Sequence, residues 1–248
     1  MLAPTYYQLN RLKMLRRLDE LETASGSARS VYIPPGSAMP EIEKILETVL
    51  EPVQIPPNIA KVVTNSTTGA ILFWGEQHKY LILPPFPITE RRVSWGYDVD
   101  PLRSLLQREF TIALILVRLG AYAIGVFRGE KLVSSKVGTG HVHSRHKKGG
   151  SSQQRFERHR EKQMEVFFQR ICTHVRERLE PHIQQVDYVI YGGTRDTLLS
   201  LRKRCQFLQK VDNRTLGLLL NIRKPRQATL EAAIGDAWSS RVIHWHET

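Results

Sequence analysis

The chain has 248 residues, enough for one large or two modest domains with cores of their own, and its 41% hydrophobic and 24% charged residues exclude disorder throughout. Lys and Arg number 36 against 24 Asp and Glu, a net charge of +12 that bears on partners rather than fold and points to a polyanion such as nucleic acid. Two cysteines, Cys172 and Cys205, each inside a helical pattern, argue against a disulfide framework or a cysteine-built zinc site, and the N-terminus has no apolar run of signal-peptide length, so a soluble cytoplasmic protein is expected.

In chain order, Tyr6, Leu9, Leu12, Leu15 and Leu18 recur at helical spacing and predict a helix over residues 5–22, closed by TASGSA. SVYIPPG reads as a strand, Met39 to Leu50 as a second helix, and AILFWGEQHKYLILPPFPI as a hairpin turning at Gly75 and ending at paired prolines. Arg91 to Pro101 shows little pattern, and Leu102 to Phe110 reads as a short helix or connector. A boundary near residue 110 divides the chain into domains 1–109 and 110–248. The apolar stretch Thr111 to Phe127 contains Arg118, Gly120 and Gly125, too short and interrupted for a membrane span, and predicts two buried strands. AYAIGVFRGEKLVSSKVGTGHV follows as a hairpin turning at Gly129-Glu130, then the polar, mobile HSRHKKGGSSQQ.

From Gln154 to Leu179 the positions Met164, Phe167, Phe168, Ile171, Val175 and Leu179 mark the apolar stripe of a long helix whose other face is basic. VDYVIYGG and TLGLLLNI are buried strands around the helix TRDTLLSLRKRCQFL, and ATLEAAIGDAWSSRVIHW reads as a last helix with His244, Trp245 and His246 packed at its end. Strands alternating with helices predict an α/β class, the second domain a mixed sheet flanked by helices.

The charge is not evenly spread. Residues 1–108 carry 12 basic and 11 acidic side chains, whereas residues 128–180 carry 13 basic and 6 acidic. Such a segment suits phosphate neutralisation and predicts binding that weakens steeply with salt. At its centre stand Gly149 and Gly150, where the backbone can approach a ligand closely. Arg145, His146, Lys147 and Lys148 precede them, and Arg155, Arg158 and Arg160 follow, as phosphate contacts. Gln153 or Gln154 suits positioning a water or a ribose hydroxyl but does not titrate, so neither is a general base at neutral pH. His141, His143 and His146 have no acidic or cysteine ligand nearby, so no metal or other cofactor is expected. Tyr191-Gly192-Gly193-Thr194 lacks both nucleotide-loop spacings and reads as a structural turn.

HKKGGSSQQRFERHREKQ, flanked by the hairpin before it and VDYVIYGG after it, resembles the middle domain of the eukaryotic and archaeal class 1 peptide-chain release factors over Ala121 to Leu199. Gly149 and Gly150 stand at the family's distance before Arg155-Phe156. Ser151 occupies the place of the family's glutamine, and Gln153 comes two residues later, an arrangement similar to the divergent Vms-like group of peptidyl-tRNA hydrolases. RLDELETASGSARSVYIPPGS and the hairpin that follows resemble the family's N-terminal domain, without an Asn-Ile-Lys-Ser decoding motif, and 248 residues leave no room for the family's third domain.

The resemblance implies a monomeric, ribosome-dependent peptidyl-tRNA hydrolase active in rescue rather than termination, with large-subunit ribosomal RNA and peptidyl-tRNA as partners and no membrane. Gln153 would orient the attacking water, with Gln154 as its alternate, and the backbone of Gly149, Gly150 and Ser152 would line the loop. Two other readings stand beside it: an endonuclease cutting tRNA near its 3′ end, and a non-catalytic ribosome-binding module.

Overall fold

The run from residue 5 to 22 divides in two. In the computed structural model, which describes residues 2–50, 58–142 and 152–247, Leu2–Leu9 is a strand (β1) and Arg11–Glu22 a helix (α1). The Asn10 side chain accepts from the Lys13 N–H at 2.9 Å and caps that helix. Tyr6 and Leu12 are exposed, and Met14, Leu18 and Leu21 form the buried face. The chain continues through β2 (Ala28–Ile33), α2 (Met39–Leu50), α3 (Ile59–Thr64), β3 (Ala70–Gly75), β4 (Lys79–Leu83), β5 (Arg92–Trp95) and α4 (Asp100–Gln107). Then come β6 (Thr111–Arg118), β7 (Ala121–Arg128), β8 (Lys131–Thr139), α5 (Ser152–Leu179), β9 (Tyr188–Gly193), α6 (Arg195–Arg204), β10 (Thr215–Leu220), α7 (Gln227–Ala237) and β11 (Ser240–Glu247).

These elements form an α/β protein of two units. The first comprises Met1–Arg108 and Gly235–Thr248, the second Glu109–Ile234. In place of the single last helix expected over residues 228–245, α7 ends at Ala237 and β11 inserts between β1 and β4, so the C-terminal residues join the first unit rather than the second. The first sheet is antiparallel, in the order β1-β11-β4-β3-β2-β5. One face, with Val31, Ile33, Leu72, Leu81 and Trp245, packs on α2 and α3 through Ile42, Leu46, Ile59 and Val63. The other, with Tyr32, Phe73, Tyr80 and Ile82, packs on α1 and α4 through Met14, Leu18, Leu102 and Leu106. His244 and His246 therefore lie on a strand, not at a helix end, and the His244 ring sits 4.1 Å from that of Tyr80.

The second unit holds a five-stranded mixed sheet in the order β10-β9-β6-β7-β8. β6, β9 and β10 are parallel, and the hairpins β6-β7 and β7-β8 are antiparallel. One face of this sheet, including Ile115, Val117, Tyr122, Ile124, Val189 and Tyr191, is covered by Phe167, Phe168, Ile171, Val175 and Leu179 of α5 and by Leu198 and Leu201 of α6. Burying each of those large side chains stabilises the unit by about 1.5–3 kcal/mol. The segment expected as a turn, Tyr191 to Thr194, is strand through Gly193, and only Thr194 stands between β9 and α6. Gly193 has φ 132°, and a Cβ there would overlap the Val117 carbonyl oxygen.

Candidate functional site

The end of β8 is shaped to receive α5. A Cβ on Gly138 would overlap the Tyr122 hydroxyl, and one on Gly140 would overlap the Phe167 ring, so only glycine lets the helix settle at this level. Tyr122 meets Phe167 edge-on at 6.1 Å and stacks on His174 at 5.9 Å. Burial raises the pKa of the Tyr122 hydroxyl, with nearby Arg170 acting against that shift. Arg170 Nη1 donates to the Thr139 carbonyl at 3.2 Å and ties the helix to the strand end.

α6 holds α5 from the side. Arg204 Nε donates to Glu165 Oε2 at 3.0 Å, and its guanidinium lies 5.4 Å from the Phe168 ring. Cys172 and Cys205 are bonded, with Cα atoms 5.4 Å apart. This corrects the expectation against disulfide bonding. Cys172 is on α5 and Cys205 follows the last turn of α6, so the two residues meet only because the helices pack side by side.

This seat reaches only to about Met164. Gly140 and Thr139 mark the end of the sheet, and α5 passes Phe167 and Arg170 there on its way back toward the start of β9. The twelve residues Ser152 to Gln163 precede that level and make up about 18 Å of helix, since a helix rises about 1.5 Å per residue. None of the described side chains from Gln154 to Gln163 is buried, and Phe156 is 62% exposed. Arg155, Arg158 and Lys162, spaced by three and four, share the face opposite Met164 and Ile171. No acidic residue stands in the first turn, so the positive end of the helix dipole is uncompensated there and favours an anion.

The expected site residues divide accordingly. Arg155 and Arg158 are exposed on this projecting stem, Arg160 is half-buried, and Gln154 is exposed beside them. Ser152 and Gln153 open α5 as backbone. Arg145, His146, Lys147, Lys148, Gly149 and Gly150 lie outside the described residues, as do His143 and Ser151. Phe167 and Phe168 are core residues, 2% and 1% exposed, as their spacing predicts. Sequence reasoning missed the bond between α5 and α6 and the length of helix that precedes the buried stripe. The latter was legible in the late onset of the apolar stripe at Met164, ten residues after Gln154.

Residues 110–243, which take in α5 and the segment before it, match a family model described as the Actinobacteria/chloroflexi VLRF1 release factor. Among curated proteins, peptide chain release factor subunit 1 of Aeropyrum pernix is 25% identical over 191 residues, covering 66% of this chain and 51% of the relative. That of Archaeoglobus fulgidus is 22% identical over 236 residues, covering 82% and 57%. The chain thus spans about half the length of the curated relatives it matches. Among solved structures, the archaeal translation termination factor aRF1 aligns with a TM-score of 0.41 at 18% identity, covering 93% of this chain and 73% of that one.

Proposed function

Because the chain belongs to the Actinobacteria/chloroflexi VLRF1 release-factor family, we propose that it hydrolyses peptidyl-tRNA in a ribosome-dependent reaction, freeing nascent peptides from stalled ribosomes or from large subunits. The observation that carries this reading is the projecting start of α5. A basic helical stem, Ser152 to Gln163, is about 18 Å long and follows Gly149 and Gly150 closely in the sequence, with Ser152 and Gln153 at its start. A tip of that kind suits a narrow, phosphate-lined passage, where the domain body cannot follow.

The reaction adds water across the ester that joins the peptide to the ribose of the tRNA 3′ adenosine. The water oxygen bonds to the carbonyl carbon, the ester C–O bond breaks, and a peptide carboxylic acid and a free ribose hydroxyl result. Negative charge develops on the carbonyl oxygen, and backbone N–H groups of residues 149–153 are suited to stabilise it. Gln153, with Gln154 as its alternate, orients the water without taking its proton. Arg145, His146, Lys147, Lys148, Arg155, Arg158 and Arg160 neutralise phosphates around the tip. The remaining catalytic surroundings are large-subunit ribosomal RNA, so the free protein is nearly inactive, and the cytoplasm is where this substrate occurs. Without a decoding motif, the reading favours rescue over termination.

The test is product identity. Large subunits carrying labelled peptidyl-tRNA should yield free peptide and a tRNA with an intact 3′ end. A shortened tRNA would identify an endonuclease instead, and binding without either product would identify a non-catalytic module.

A further inference from the structure

The parallel strands of the second unit end together, and the segment that carries the site leaves from that same end. β8 runs in the direction of β6, because each is antiparallel to β7, and the Gly140 N–H donates to the Gly120 carbonyl at 3.0 Å. The carboxyl ends of β6, β9 and β10 thus lie beside the exit toward residues 143–151, with adjacent strands about 4.8 Å apart.

What these ends carry is positive charge on rigid backbone. Arg118 closes β6 and donates from Nε to the Ile222 carbonyl at 2.7 Å, holding the chain that leaves β10. Gly192 lets Ile222 and Leu220 approach closely, so Thr194-Arg195 after β9 and Arg223-Lys224 after β10 emerge side by side. Pro225 is buried, Thr229 Oγ1 donates to the Lys224 carbonyl at 2.8 Å, and the Leu230 N–H donates to the Arg226 carbonyl at 2.9 Å.

Arg195, Arg223, Lys224 and Arg226 are all exposed on this edge, and among the described residues none forms an ion pair. Several other arginines of the unit are engaged. Arg176, Arg202 and Arg204 pair with Glu180, Asp212 and Glu165, while Arg214 donates to the Ile183 and Val186 carbonyls. Asp196 is the one acidic residue in the segments 194–196 and 221–226. Four cations left without carboxylates on a fixed edge repel one another in the free protein, a cost removed by a polyanion laid along them.

We propose that this edge is a second RNA contact, distinct from the projecting tip, in which Arg195, Arg223, Lys224 and Arg226 grip the phosphate backbone of large-subunit ribosomal RNA. The inference rests on the reading of the chain as a ribosome-dependent hydrolase. Ribosomal RNA is the partner because the tip must meet the tRNA 3′ end, and an edge set back from it by the length of the stem faces whatever walls the passage.

Binding of the full chain to purified large subunits without tRNA, measured from low to high salt, tests this. Replacing all four residues by serine should lower the slope of log K against log salt by about 3, as expected when four phosphate contacts are lost. Peptide release at saturating protein should stay near the wild-type rate. A control variant, Arg128→Ser with Lys131→Ser at the opposite end of the sheet, should keep the wild-type slope. An unchanged slope in the fourfold variant, with thermal unfolding showing that it folds, overturns the inference. A slope that falls only when subunits carry tRNA overturns it in favour of a tRNA contact. Should the wild-type protein bind with the expected slope yet release nothing, the hydrolase reading fails and the edge contact stands.

Discussion

Phe167 lies directly over Gly140, so close that the smallest possible side chain on the glycine would overlap its ring. Phe167 is 2% exposed and wedged between Tyr122 and Phe168, with no room to retreat. Gly140→Ala should therefore destabilise the second unit by about 1–3 kcal/mol, the usual cost of overpacking. Equilibrium unfolding in urea measures it. Combining Gly140→Ala with Phe167→Leu should cost less than the sum of the two changes, because the smaller side chain vacates the space. Additive costs would show that the contact does not set the seat of α5.

The bond between Cys172 and Cys205 closes a segment with a sequence separation of 33. Loop-closure entropy assigns such a crosslink about 3–4 kcal/mol of stability. A thiol reductant should release two titratable thiols and lower the unfolding midpoint, whereas Cys172→Ser with Cys205→Ser should unfold at one midpoint with or without reductant. A wild-type midpoint that ignores the reductant would contradict this.

His244 gives the first unit an acid sensitivity. Burial holds its pKa down to about 4, with His246, His78 and Arg17 adding repulsion to the charged form. Its ordinary value is near 6.5, so between these limits the unfolded chain binds more protons than the folded one. The corresponding stability is present above about 6.5 and is lost as the pH falls toward 4. His244→Phe, which keeps an aromatic ring against Tyr80, should flatten the decline in urea-unfolding free energy between pH 7 and 4.5. An equally steep decline in the variant would place the sensitivity elsewhere.

Most local elements were legible. The continuous apolar runs of β6, β7 and β9, buried at neighbouring positions alike, and the inward stripe of α5 announce themselves within a dozen residues. What escaped depends on partners far along the chain. Tyr6 and Leu9 continue the spacing of the helix after them, and only pairing with β11, at the other end of the sequence, makes their segment a strand. The edge strand β5 buries too little to show a pattern, its Trp95 being 76% exposed beneath the Arg29 guanidinium. Cys172 and Cys205 meet through helix packing, and the segments that carry Arg195 and Arg223 follow strands made neighbours only by the parallel pairing of β9 and β10. At the site, the basic residues and glutamines were readable as a motif, but where α5 meets the end of the sheet required the position of Gly140 beneath Phe167.

The central claim concerns what the tip does, and single-turnover peptide release tests it most directly. With saturating protein on large subunits carrying labelled peptidyl-tRNA, Gln153→Ala should lower the release rate by about 10²-fold or more, the size of losing one positioned group at a reacting centre. Binding to the subunits should remain near the wild-type level. Release by Gln153→Ala at the wild-type rate, with Gln154→Ala equally active, would contradict the account.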